Sequence, residues 1–243
     1  TDECTFAGIV RAHVEAKKLN LKLIIGTELA LEDGLRFLLL ATDRESYGRL
    51  SELITLARRG AKKGSYRLSR EQLEKHFPED CLAIWLPSRT AIMNITNTEQ
   101  INWINQLFHN NCWIGIGLFR SHDDAIFLSA LQQLSQQIQI PLVACNDVQM
   151  HRRKRQPLQD VLTAIRHRKP VSELGYELFK NAEHHLRPLP YLQSIYPSAL
   201  LEQSIQISKR CQFSLDELRY KYHSEPVPKG KTGNNWARQL TAQ

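Results

Sequence analysis

Acids, amides and imidazoles gather where the sequence predicts strands to end. The sharpest case is Pro141-Leu142-Val143-Ala144-Cys145-Asn146-Asp147-Val148-Gln149-Met150-His151, a short apolar run that empties into polar residues. Such a run reads as a buried parallel strand whose carboxyl end carries side chains to the edge where α/β folds place their chemistry. Strand alternation points Asp147 and Gln149 at one spot. An Asp-x-His pair there would suit a divalent cation, but Gln is a poor ligand, and the function turns largely on that difference. Other predicted strand ends add Glu28, then Arg120 and His122, with Asp2 and Glu3 following a strand expected before Thr1. Converging carboxylates bind hard or borderline divalent cations, which activate water for attack on phosphate. The competing role for each acid is to cap the next helix or to pair with a nearby Arg or Lys.

Other chemistries find less support. The chain has no Gly-x-Ser-x-Gly elbow, no Walker-type loop and no Gly-x-Gly-x-x-Gly. His184 and His185 are neighbours on an expected helix over 182–186, so their rings diverge and a surface placement is expected. The five cysteines are scattered and odd in number, which fits reduced, buried thiols and argues against a structural zinc site. Three basic clusters stand out: residues 58–63, then Arg152, Arg153, Lys154 and Arg155, then residues 166–169. With a net charge of +7 and a pI near 9.2, they favour an anionic partner such as nucleic acid, against the alternative of a solvated face.

The elements that must position these residues follow from periodicity. Helices are expected over 5–20 (capped by Thr5), 45–64, 69–77, 98–109, 123–139, 156–167 and 199–211; Ser69 and Gln72 have capping-box spacing. Strands are expected over 21–31, 35–41, 81–86 and 113–119 and at Pro141, with Asp33-Gly34 a hairpin-like turn. Most crossovers are too long for hairpins, which implies a largely parallel sheet, open or closed into a barrel. After Pro170 the chain turns helical and proline-rich, ending in a Pro226-Val227-Pro228-Lys229-Gly230 break. No run reaches the ~20 apolar residues of a membrane span, so a soluble, cytoplasmic protein without membrane contact is expected. A start at Thr1 reads as a piece of something longer.

Several blocks resemble the N-terminal region of the bacterial error-prone C-family DNA polymerases, across essentially the whole chain. They are Thr1-Asp2-Glu3-Cys4 with residues 7–13, Leu23-Ile24-Ile25-Gly26-Thr27-Glu28, and residues 47–55, 63–69, 158–166, 181–186 and 210–220. The resemblance implies a PHP domain (polymerase and histidinol phosphatase), an α/β fold built as a distorted (β/α) barrel with a metal cluster at its mouth. It implies residues 1–170 as that domain, lacking its N-terminal strand and first metal motif, and 171–243 as a helical connection toward the palm. Zinc or manganese would be the PHP metal, and magnesium that of a polymerase core this chain does not reach. Glu3, Glu28 and Asp147 match the metal motifs. Where related sequences tend to read Glu-Leu-His-Arg and Asp-Val-His, this chain has Gly117-Leu118-Phe119-Arg120 and Asp147-Val148-Gln149. Those changes remove ligands and imply a degraded site on a structural platform.

The expected function is therefore the PHP part of a polymerase for damage-induced, translesion synthesis, itself not catalytic, meeting DNA through the parent and open to other mutagenesis proteins. The competing readings are a PHP-type metal-dependent phosphoesterase and a basic docking module for nucleic acid or protein.

Overall fold

The computed structural model describes residues 1–89, 98–218, 227–228 and 230–241. Six strands lie in sequence order: β1 (Asp2–Glu3), β2 (Gly26–Ala30), β3 (Arg36–Leu40), β4 (Leu82–Trp85), β5 (Cys112–Ile116) and β6 (Leu142–Ala144). Only β3 runs against the others, since β1–β2, β4–β5 and β5–β6 pair in parallel while β3 is antiparallel to both its neighbours. The Asp33-Gly34 turn produces that reversal: Gly34 takes a left-handed φ of 89° and Leu35 N–H donates to Asp33 Oδ1 at 3.0 Å.

Alternation sorts the sheet into two apolar faces. One carries Leu29, Phe37, Leu39, Ala83, Trp85, Ile114, Ile116 and Leu142. Three helices bury their stripes in that cluster: α2 after the short α1 (Ile9–Lys18), spanning Arg44–Arg59; α4 (Thr98–Phe108), after α3 (Arg70–Lys75); and α5 (Asp124–Ile138). The other face carries Leu40, Leu82, Ile84, Trp113 and Val143 under Ile207 and Cys211. Three further helices of the chain, α6 (Gln156–His167), α7 (Leu189–Gln193) and α8 (Ser198–Arg210), precede α9 (Gly233–Thr241). Ile207 belongs to α8, so residues beyond Pro170 help to build the core, as do Tyr196, Leu200 and Phe213.

Local chemistry explains the ends. Ser69 and Gln72 form the expected box, Gln72 N–H to Ser69 Oγ at 3.2 Å and Ser69 N–H to Gln72 Oε1 at 3.0 Å. Asp43 and Ser46 cap α2 in the same way. Thr5 does not cap α1, which starts after Gly8; Thr5 Oγ1 instead accepts from Ala7 N–H, and none of the helix's residues is buried. Asp2 and Glu3 lie within a short strand, β1, paired with β2. Gly115 is required by close approach, because a Cβ there would lie 2.7 Å from Leu86 Cδ2 and 2.8 Å from Ile84 Cγ2. Arg219 and Tyr220 of the last sequence block, and Pro226 and Lys229, lie outside the described residues. Among the described residues no helix is long and apolar enough to cross a membrane.

Candidate metal centre at the strand rim

Glu3 and Glu28 are partners in the β1–β2 register, so their side chains leave the sheet on the same face. Each already has a protein donor. Tyr66 O–H donates to Glu3 Oε1 at 2.8 Å while accepting Ala30 N–H at 3.0 Å. Burial, with the Glu3 carboxylate beside it, pushes the Tyr66 phenol up to about 12, so it stays a donor at neutral pH. Glu28 Oε1 is bound by the guanidinium of Arg36. Arg36 is the diagonal neighbour of Glu28 across the hairpin, because Glu28 faces Leu38 and Arg36 lies two residues earlier on the same face.

Asp147 lies past the end of β6, not within a strand, and has a left-handed φ of 38°. Alternation therefore does not set its relation to Gln149. The two meet directly instead, Gln149 Nε2 donating to Asp147 Oδ1 at 2.7 Å. On the other side His184 Nδ1 lies 3.2 Å from Asp147 Oδ2 and 3.1 Å from the Asp147 carbonyl oxygen. Two acceptors around one ring nitrogen make Nδ1 the protonated one.

The hydrogen bond from His184 comes first among the causes that hold the Asp147 carboxyl below its usual range, followed by Gln149 and, through space, Arg36. These outweigh burial, which acts the other way. The folded state then binds this proton more weakly than the unfolded chain. Its contribution to stability is fully present above about pH 4 and is lost as pH falls through the folded value. Asp147→Asn is expected to flatten, without abolishing, the loss of urea resistance as pH falls below about 4. Asp43, Asp123 and Asp216 carry shifts of the same sign and keep the remainder.

His184 is not on a helix or at the surface. Its ring stacks on Phe119 (centroids 3.9 Å) and lies tilted against Phe179 (4.0 Å), in an irregular segment held by Gln149 N–H and Met150 N–H donating to the His184 carbonyl. Phe119 and Gln149, two of the positions that depart from the metal motifs, thus contact the acid and imidazole that remain. Cys145 is pushed up to about 12, first by burial and then by the negative charge of Asp147 and Glu28. The rim accordingly gathers Glu28, Arg36, Cys145, Asp147 and His184, with Glu3 beside Glu28.

A PHP-type metal does not fit these residues. The guanidinium of Arg36 binds one of the motif acids and acts electrostatically on another. No three His, Cys, Asp or Glu side chains are arranged to hold an ion among the described residues.

Residues 1–111 match the PHP domain family. Over 243 residues the chain is 56% identical to the error-prone DNA polymerase of Methylococcus capsulatus, covering 100% of this chain and 23% of that protein. It is 47% identical over 243 residues to the error-prone DNA polymerase of Pseudomonas aeruginosa, with 100% and 23% covered. For that of Dechloromonas aromatica the figures are 46% over 245 residues, 99% and 23%. The chain belongs to the PHP-bearing N-terminal region of the error-prone DNA polymerases. It spans 23% of the length of these relatives. Glu3, Glu28 and Arg36 fall inside the PHP match, and Asp147 and His184 beyond its end.

Of the basic cluster, Arg153 is committed to an ion pair with the buried Glu183. Arg152, Lys154 and Arg155 stand exposed in and beside the one-turn 3-10 segment before α6.

Proposed function

We propose that this chain is the PHP region of a DNA-directed DNA polymerase that copies damaged templates, and that the region serves as a folded platform with a lapsed metal site. One observation carries the platform reading: the Arg36 guanidinium stands among the acids that a metal would need. Residues 1–170 are taken as the PHP unit and 171–243 as the connection toward the palm. DNA is the polymer met through the full-length protein, with magnesium serving a polymerase core beyond these residues, in the cytoplasm.

The sheet is taken to curl toward a distorted barrel, as the PHP resemblance implies.

The test pairs manganese and zinc titration with phosphatase and exonuclease assays on the wild type and Asp147→Ala. The expected result is no metal-dependent hydrolysis in either protein. Hydrolysis that needs metal and disappears in Asp147→Ala would establish the phosphoesterase reading instead. The polymerase reading is tested by primer extension past a template lesion with the polymerase-length polypeptide.

Arg152, Lys154 and Arg155 are proposed to track the DNA backbone, Arg153 being held by Glu183. Changing the three to Glu is expected to weaken duplex binding about tenfold near 0.1 M salt and to flatten the salt dependence. Anisotropy titrations across a salt series measure both, and unchanged affinity would remove the cluster from the interface.

A further inference from the structure

Helix α6 is turned the wrong way round for a helix whose only neighbours are those described. Its polar residues face the body: Gln156 Nε2 donates to the Phe179 carbonyl at 3.2 Å, Asp160 and Thr163 are half-buried, and only Ala164 is buried. Its apolar residues face out. Leu158, Val161, Leu162 and Ile165, spaced as one stripe at helical period, are 49, 45, 52 and 68% exposed. Four neighbouring aliphatic side chains held in water on a rigid helix mark an interaction surface.

Both ends of the stripe are basic: Arg152, Lys154 and Arg155 precede it, and Arg166, Arg168 and Lys169 follow, all exposed. A second copy would set like charges against like at both ends of an antiparallel pair, which opposes self-association. Nucleic acid would meet the basic ends but leave the aliphatic stripe wet. With Arg152, Lys154 and Arg155 left to the DNA backbone, the matching occupant is an amphipathic helix whose apolar face is bordered by Asp and Glu where it meets Arg166, Arg168 and Lys169. The chain covers 23% of the length of its relatives, so most of a polypeptide of that size lies outside it.

Resting on the polymerase reading above, we infer that the Leu158, Val161, Leu162 and Ile165 face of α6 is the seat of an acid-bordered amphipathic helix from the remainder of the polymerase-length polypeptide. The face joins the PHP region to the body.

Cysteine labelling tests this. Cys4, Cys81, Cys112 and Cys211 are buried, and the Cys145 thiol is pushed up to about 12, so native thiols are slow to react. Leu162→Cys is made in this chain and in the polymerase-length polypeptide containing it, with the fully exposed Tyr176→Cys as control, and maleimide uptake is read peptide by peptide. The expected result is labelling at Leu162→Cys about tenfold slower in the long polypeptide, with the control unchanged. Adding Arg166→Glu and Lys169→Glu is expected to restore much of the rate. Equal labelling in both polypeptides overturns the proposal. So does protection of this chain alone that grows with its concentration, which would mean a second copy, or protection that needs DNA. Protection insensitive to the two charge reversals overturns the acidic border. A long polypeptide that fails to extend primers yet protects Leu162→Cys would sink the polymerase reading and leave the seat standing.

Discussion

Arg187→Met is expected to lower the free energy of unfolding by about 3 to 5 kcal/mol, the cost of breaking a buried, hydrogen-bonded charge network from one side. The Arg187 side chain is 0% exposed and Glu183, one helical turn's distance earlier in sequence, is 6% exposed. One guanidinium nitrogen donates to the Leu118 carbonyl at 2.7 Å; the other reaches Asn146 Oδ1 and lies 3.3 Å from the Tyr196 hydroxyl. Leu118 follows β5, Asn146 follows β6 and Tyr196 precedes α8, so a single side chain ties three parts of the fold together. Methionine keeps much of the bulk and removes the donors, which leaves buried acceptors without a partner. Lysine should rescue little, because one ammonium cannot span these acceptors as a planar fork does. Urea unfolding at neutral pH measures the difference. A loss below about 1 kcal/mol would mean that Tyr191 and Arg153, which also serve Glu183, carry the network without Arg187.

Phe108→Ala should cost a comparable amount, about 3 to 5 kcal/mol, by a different route. The Phe108 ring is 2% exposed and packs against Phe37 of β3 at 5.0 Å and edge-on to Phe77 at 5.3 Å. Removing it opens a hole where α4 meets the sheet, walled by rigid rings that cannot close in. Phe108→Leu refills most of the volume and should recover more than half. Tyr176→Ala, at a fully exposed position, should stay within about 0.5 kcal/mol of the wild type. The same urea titrations compare all three.

Much of the architecture can be read from local patterns, and the failures have local causes. Helix α6 occupies the expected residues because Pro157 fits its first turn and a basic left-handed residue, Arg168, stops it. The capping box at Ser69 needs only two side chains three positions apart in the chain's local geometry, and it forms. By contrast, residues 182–186 look helical by composition but spend their backbone on residues 149–150: Met150 bridges His185, and Leu186 N–H donates to the Met150 carbonyl. No periodicity within a segment can reveal a partner thirty-five residues away. The strand expected over 21–31 shrinks to Gly26–Ala30, where β1 and β3 supply pairing.

At the rim the same split appears. Asp147 lies past a strand end as expected, but Glu28 sits within β2 and Glu3 within β1, and the partners of all three were not legible. Arg36 had a usable signal, since a hairpin centred on Asp33-Gly34 sets Glu28 opposite Leu38 and hence diagonal to Arg36. His184 had none in its own neighbourhood, because the slot that holds it is built from Phe119 and Phe179, which only the fold brings to one place.

The Arg36 guanidinium has a physiological corollary. In the platform reading proposed above, a counter-ion that is covalently attached and always charged stands at Glu28 in place of a transition metal. Scarcity or excess of zinc and manganese during stress would then leave this part of the molecule folded and unchanged, and chelators should shift its melting temperature no more than they shift that of a protein without a metal motif.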